Sequence, residues 1–346
     1  MNAPQPSQFT RSWGPILGLI AVVAVGVSEL PKARAAEKPT PPRLEDFLKR
    51  LGFEAIEFKW DDRHAVVQGR LGGKKRTFLV DTGWAVTTLD EHTARGLKTL
   101  GELSVKLDDS FMGRLSDPDI LLMEELTIGR AQFLNQPAQV RTLEMDFVRW
   151  RHDGVLGCDF FHRNHCLVDC GGRCLYVRAS RPSEAVSDTL ARSLRLSRLV
   201  DVPMRGKYGT TVDVEINGQT VKLLVDTGSF ATVLDDSQIQ RLGLAKLKYA
   251  DPPTGSHLRE QVQTTVIGIG DIGSETLSVS ELMTFRIGSQ QWKHVQAGVA
   301  NLARWGLAKP GTRNEEIQGL LGIELLVNHG ALIDFSSHRL WFRAEP

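Results

Sequence analysis

Two stretches decide how this 346-residue chain folds: VVQGRLGGKKRTFLVDTG, from Val66 to Gly83, and TVDVEINGQTVKLLVDTG, from Thr211 to Gly228. They align without a gap at an offset of 145 residues. Each reads as a strand, a two-residue turn (Gly72-Gly73 or Asn217-Gly218), and a second, apolar strand that runs into Asp-Thr-Gly. Asn-Gly between such runs is a strong hairpin signal, because a tight hairpin turn needs residues that tolerate positive φ.

The likeness continues downstream. Leu126-Thr-Ile-Gly129 with Phe133 echoes Phe285-Arg-Ile-Gly288 with Trp292. Val155-Leu156-Gly157-Cys158-Asp159-Phe160-Phe161 echoes Leu320-Leu321-Gly322-Ile323-Glu324-Leu325-Leu326, and Asn164-His165 echoes Asn328-His329. Leu167-Val-Asp169 before Leu175-Tyr-Val-Arg178 echoes Leu332-Ile-Asp334 before Leu340-Trp-Phe-Arg343. Order and spacing persist throughout, so the chain is an internal duplication.

Within each copy, short apolar or alternating strands separated by Gly-rich turns predict a mainly β fold. Two tandem barrel-like lobes related by a pseudo-twofold axis are expected. Short helices are expected near Asp90 to Gly96 and Asp235 to Leu242, and after each apolar-apolar-Gly segment. The expected organisation is residues 1–35 signal peptide, 36–54 leader, 55–178 first lobe, 179–197 polar linker and 198–346 second lobe.

The signal peptide reading rests on Arg11, an apolar run from Gly14 to Val27, and Ala33-Arg34-Ala35 as the cleavage region. The run is too short to span a bilayer comfortably, so retention as an N-terminal anchor is the alternative to a secreted or periplasmic product. Removing residues 1–35 takes away three basic residues (Arg11, Lys32, Arg34) and one acid (Glu29), turning a net charge of +1 into −1. Neither a basic stripe for nucleic acid nor an electrostatic reason to hold a membrane surface is left. Export permits disulfides. All four cysteines fall in one short stretch, with Cys170–Cys174 and Cys158–Cys166 the expected pairing among three possible ones. Their spacing matches no common structural zinc pattern, and neither a metal nor a cofactor is expected.

The chemistry lies in Asp81-Thr82-Gly83 and Asp226-Thr227-Gly228. A carboxyl at the end of an apolar strand is raised in pKa by burial. Two such groups facing each other across a twofold axis cannot both ionise, so they share a proton and titrate as a pair. Such a pair activates a water with its ionised member and protonates a carbonyl oxygen with the other. Each glycine allows a tight turn and close approach of substrate, and each threonine hydroxyl can brace the neighbouring loop.

With those residues stated, each copy resembles a subunit of the retropepsin-like aspartic proteases: apolar strand, Asp-Thr-Gly, flap hairpin, then apolar-apolar-Gly leading into a helix. The resemblance spans about residues 55–343. It implies Asp81 and Asp226 as the catalytic dyad, Thr82 and Thr227 as the bracing pair, and Gly83 and Gly228 as contacts to the substrate backbone. That family usually continues with Ser or Ala after the glycine. Ser229 fits, whereas Trp84 departs from the pattern and is expected either to shape the cleft or to mark the first lobe as degraded.

The flaps are expected around Asp109 to Asp119, with Gly113 near the cleft, and within Gly255 to Val279. Gly268-Ile-Gly270-Asp-Ile-Gly273 fits a dinucleotide pattern but lacks a βαβ context, so it reads as a flap turn. His165, matched to His329, reads as a structural hydrogen-bonding residue. Asp159 and Glu324, and Arg178 and Arg343, read as repeat-equivalent ion pairs or helix caps. No G-x-S-x-G or H-E-x-x-H occurs. The reading is an aspartic endopeptidase acting on peptide or protein substrates, a monomer with an intramolecular pseudo-dimer. The alternatives are an inactive peptide-binding protein on the same fold, and a protein whose lobes pair with those of another chain.

Overall fold

Both Asp-Thr-Gly strands arrive from hairpins whose turns are set by their sequences. Gly72 and Gly73 have φ of 57° and 74°, and Asn217 and Gly218 have 49° and 79°. Positive φ at both central residues gives a turn whose twist matches that of paired strands. The computed structural model describes residues 44–61, 64–97, 120–143, 152–178, 182–206, 209–247, 265–266, 275–276, 278–305, 307 and 316–343. All of these belong to one compact unit, residues 42–346.

Each copy closes a ring of six strands. In the first lobe the order is His64–Leu71, Lys74–Val80, Gly154–Leu156, Thr88–Asp90, Ala131–Arg141 and Ile120–Ile128, which pairs back onto His64–Leu71. In the second it is Thr211–Ile216, Gln219–Val225, Gly319–Leu321, Val233–Asp235, Gln290–Ala300 and Ser278–Ile287, which pairs back onto Thr211–Ile216. A closed ring leaves no open sheet edge. The protein is therefore mainly β, with two closed barrel lobes.

In both rings the strand that enters Asp-Thr-Gly pairs in parallel with the apolar-apolar-Gly segment, Phe78–Val80 with Gly154–Leu156 and Leu223–Val225 with Gly319–Leu321. Parallel strands buried on both faces demand continuous apolar runs, and Phe78-Leu79-Val80 and Leu223-Leu224-Val225 supply them. The expected helices appear as Glu91–Ala94 and Gln238–Arg241, and as Cys158–Arg163 and Ile323–Asn328.

A third sheet joins the lobes, in the order Glu54–Glu57, Cys174–Val177, Leu167–Asp169, Leu332–Asp334, Arg339–Arg343, Leu199–Pro203. At its centre Val168 pairs with Ile333, equivalent residues of the two copies, so the pseudo-twofold passes between them. One hydrophobic cluster runs through both lobes.

The stretch read as a linker holds a helix, Glu184–Leu196, with the Ser183 hydroxyl accepting from the Val186 amide at 3.4 Å. The leader likewise ends in a helix, Leu44–Arg50. Both pack through Leu48, Leu190 and Leu194 against Phe53 and against Leu167, Tyr176, Leu332 and Trp341 of the joining sheet. They are repeat-equivalent: each helix leads through a residue with positive φ, Gly52 at 85° and Arg198 at 60°, into the edge strand of that sheet.

Neither expected disulfide forms. Cys170 lies in the cluster shared by the lobes, whereas Cys174 and Tyr176 face the cluster beneath the two helices, so the first pair point to opposite sides of the sheet. Cys158 opens the helix Cys158–Arg163 and Cys166 follows its end, and the two form no disulfide either. Burial instead pushes the Cys158 thiol up to about 12 and the Cys174 thiol up to about 11.

The Asn-His match is also displaced by one residue. The equivalent helices are followed by Asn164 and His329 as caps. His165, at φ 49°, thus matches Gly330, at φ 57°. What the two positions share is the left-handed backbone that ends each helix, not a histidine.

Candidate active site

The two Asp-Thr-Gly loops meet on the pseudo-twofold axis and interlock. The Thr82 amide donates to Thr227 Oγ1 at 3.0 Å, and the Thr227 amide donates to Thr82 Oγ1 at 3.1 Å. Each hydroxyl then donates across the axis, Thr82 Oγ1 to the Val225 carbonyl at 2.8 Å and Thr227 Oγ1 to the Val80 carbonyl at 2.7 Å. Both threonines are essentially inaccessible, so losing either hydroxyl would strand buried partners, at about 1–3 kcal/mol each.

Each carboxyl is held by its own loop. Asp81 Oδ1 accepts from the amides of Gly83 (2.9 Å) and Trp84 (3.0 Å), and Asp226 Oδ1 accepts from those of Gly228 (2.9 Å) and Ser229 (3.0 Å). The glycines are obligatory for a reason that crosses the axis. A Cβ built on Gly83 would lie 2.3 Å from the Asp226 carboxyl carbon, and one on Gly228 would lie 2.2 Å from Asp81 Oδ2. Each carboxyl therefore rests on the other loop's glycine, and the two carboxyls hydrogen-bond each other.

Burial raises both carboxyls above the ordinary range. At Asp226 the neighbouring Asp81 charge raises it further, the bond between the two lowers Asp81, and the loop amides pull each carboxyl the other way. The pair can hold one proton between them.

Trp84 does not stand in the cleft. Its indole is 7% exposed and packs among Val66, Leu79, Leu143 and Val155, with Nε1 donating to Thr88 Oγ1 at 2.8 Å. In the second lobe the matching cluster is Leu224, Val233, Ala300, Leu302, Leu307, Ile317 and Leu320, with Phe230 against it. Ser229 there donates its hydroxyl to the Ala231 carbonyl at 2.7 Å.

Asp159 and Glu324, read as ion pairs or caps, also meet the Asp-Thr-Gly loops. Asp159 Oδ1 accepts from the Thr87 amide at 2.6 Å and the Thr87 hydroxyl at 2.7 Å, and Glu324 Oε1 accepts from the Thr232 amide at 2.6 Å. Arg163 adds a 3.6 Å ion pair to Asp159 from one helical turn away. Arg343 lies close enough to Asp169 to act on its charge, and the Arg178 guanidinium stands over the Phe53 ring at 6.0 Å.

Gly113 and the first expected flap lie outside the described residues. Within the second expected flap, Thr265–Val266 pair antiparallel with Glu275–Thr276. The glycine-rich Gly268-to-Gly273 segment connects them and also lies outside the described residues.

Residues 212–325 match the family model of an aspartyl protease. No curated protein matches the chain. Among solved structures, the chain is similar to a retropepsin-like aspartic protease from Rickettsia conorii at 19% identity, over 42% of this chain and 89% of that one, with a TM-score of 0.27. The family match covers most of the second barrel, including Asp226-Thr227-Gly228 and Leu320-Leu321-Gly322. The match of the second barrel supports a protease-type function.

Proposed function

We propose that this chain is an aspartic endopeptidase that hydrolyses peptide bonds with water activated by Asp81 and Asp226. The observation that supports it is the pair of carboxyls in mutual hydrogen bond, each supported by two amides of its own loop and seated on the other loop's glycine. Two buried acids sharing one proton provide a base and an acid at the same point. Asp81, carrying the charge, takes a proton from the attacking water. Asp226, carrying the proton, donates it to the peptide carbonyl oxygen as the tetrahedral intermediate forms. As that intermediate collapses, Asp81 passes its new proton to the leaving amine and Asp226 takes back the hydroxyl proton, which restores the starting pair.

Substrate would lie extended in the cleft between the lobes and pair as a strand, under the hairpin that contains the Thr265–Val266 pairing. Both halves of the dyad come from one chain, so the proposed enzyme acts as a monomer. Residues 1–35 would direct export to a periplasmic or extracellular space and then be removed. They lie outside the described residues, and among the described residues no helix is long and apolar enough to cross a membrane.

The test is cleavage of a mixed peptide library from about pH 3 to 8, read by mass spectrometry, for the wild-type protein and for Asp81→Asn and Asp226→Asn. Each substitution should lower kcat by about 10³-fold or more, since each removes a general acid or base. A folded wild-type protein that cleaves nothing across that range, or an Asp81→Asn protein that cleaves normally, would sink the reading.

A further inference from the structure

Each catalytic loop is seven residues long, Asp81 to Thr87 and Asp226 to Thr232, and is tied to one partner segment at both ends. At the near end the Asp81 amide donates to the Leu156 carbonyl at 3.2 Å and the Asp226 amide to the Leu321 carbonyl at 3.0 Å. In the middle the Cys158 amide donates to the Trp84 carbonyl at 2.6 Å and the Ile323 amide to the Ser229 carbonyl at 2.8 Å. At the far end stand the two acids described above. Asp159 takes both polar hydrogens of Thr87, and Thr87 Oγ1 in turn accepts from the Gly157 amide at 3.3 Å. Glu324 takes the Thr232 amide, and Thr232 Oγ1 accepts from the Gly322 amide at 3.1 Å.

Each acid lies in the first turn of its helix, Asp159 in Cys158–Arg163 and Glu324 in Ile323–Asn328. Asp159 is 7% exposed, and Glu324 is half-buried. Burial raises both carboxyls above the usual range, as expected for an acid held out of water. The amide and hydroxyl of Thr232 and the amides of Glu324 and Leu325 favour the charged form of Glu324. Of these partners Thr232 belongs to the loop that carries Asp226.

We infer that Asp159 and Glu324 are positioning residues, which pin the far ends of the two catalytic loops and so hold the two dyad carboxyls in register. The inference rests on the endopeptidase reading above. Its logic is geometric: each loop's glycine is the seat of the other loop's carboxyl, so a loop free to shift at Thr87 or Thr232 displaces both acids at once. A displacement of about 1 Å at reacting groups is enough to cost about 100-fold in rate.

The test compares Asp159→Asn and Glu324→Gln, which keep an acceptor oxygen, with Asp159→Leu and Glu324→Leu, which do not. Thr87→Val and Thr232→Val, which remove only the hydroxyl, serve as milder forms should a leucine variant fail to fold. For each folded protein, kcat, KM and the full pH–rate profile are measured, with Asp81→Asn alongside. The leucine variants should lose about 100-fold in kcat with KM within about twofold, and the amide variants should retain kcat within about tenfold.

The pH–rate bell should narrow in the leucine variants. Its width measures how strongly proton sharing favours the singly ionised pair, and carboxyls that move apart share less. Folded leucine and valine variants that keep wild-type kcat and bell width would overturn the inference while leaving the endopeptidase reading intact. An Asp81→Asn protein that still cleaves would overturn that reading itself. Should the wild-type protein cleave nothing, carbon-13 titration of the dyad carboxyls decides the inference without turnover. The gap between the two ionisations should shrink in the leucine variants, and an unchanged gap would refute it.

Discussion

The two lobes are most alike where they touch each other and least alike a few ångströms away. The four threonine bonds across the axis agree between the lobes to within 0.1 Å, as do the four amide bonds to the carboxyls. One residue further on, Trp84 in the first lobe stands where the second has Ser229. A cluster built round one indole there matches a cluster built from Phe230, Leu302, Leu307 and Ile317. A residue at the axis must fit its own lobe and the equivalent residue of the other, so a change on one side is a fault on both. A residue facing only its own lobe answers to local packing, and different side chains can fill the same volume.

The sharpest way to break that comparison is to place a methyl on the axis. Gly83→Ala and Gly228→Ala each put a Cβ within 2.3 Å of the opposing carboxyl. Each should cut kcat by about 100-fold or more, because the displaced acid belongs to the other lobe. The two losses should be similar. If one alanine is tolerated while the other is not, the lobes are not equivalent at the dyad, and rate measurements on the two single variants decide it.

A step off the axis, the lobes should respond differently. Trp84→Ala empties a buried indole site, and a substitution of that kind costs about 3–5 kcal/mol. Ser229→Ala loses one hydrogen bond to the Ala231 carbonyl, worth about 1 kcal/mol. Urea unfolding of both variants tests the contrast. The Trp84→Ala protein that remains folded should cleave the same peptide bonds as wild type, since its indole lies in the side cluster. A changed cleavage preference would return Trp84 to the cleft.

The parts of this design that were readable in the sequence are the ones with local signatures. The hairpins announced themselves through Gly72-Gly73 and Asn217-Gly218, and the dyad loops through their repetition after an apolar strand. The two helices that precede the lobes were hidden by polar surroundings. Their shared signal was a leucine pair at helical spacing, Leu44 with Leu48 and Leu190 with Leu194, before a left-handed residue. The histidine match failed because identity of residue type outweighed the backbone requirement that makes His165 equivalent to Gly330. The disulfides failed because spacing says nothing about which face of a strand a thiol occupies. Asp159 and Glu324 were recognisable as equivalent acids, but their partners lie 72 and 92 residues away in sequence, and no periodicity reports a contact of that kind.

The smallest effect concerns which acid of the dyad holds the proton, and it can be read without substrate. Asp226 has its carboxyl raised well above the ordinary range, first by burial and then by the Asp81 charge. A group raised on folding binds more protons folded than unfolded. Its stabilising contribution is complete below the unfolded carboxylate range, near pH 4, and is lost as pH rises through the folded value. At neutral pH the native dyad is therefore a site of stored instability. Asp226→Asn, which cannot ionise, should be more stable than wild type at pH 7, by about 1.4 kcal/mol for each unit of upward displacement. The advantage should fade as the pH is lowered towards 4. Asp81→Asn should gain less, because the bond from Asp226 favours the charged form of Asp81, whereas the loop amides act alike on both acids. Urea midpoints of the two variants at pH 4 and pH 7 separate the cases. A larger gain for Asp81→Asn would put the proton on Asp81 and exchange the roles of base and acid, while a loss at both pH values would mean that the carboxyls do not share a proton in the folded protein.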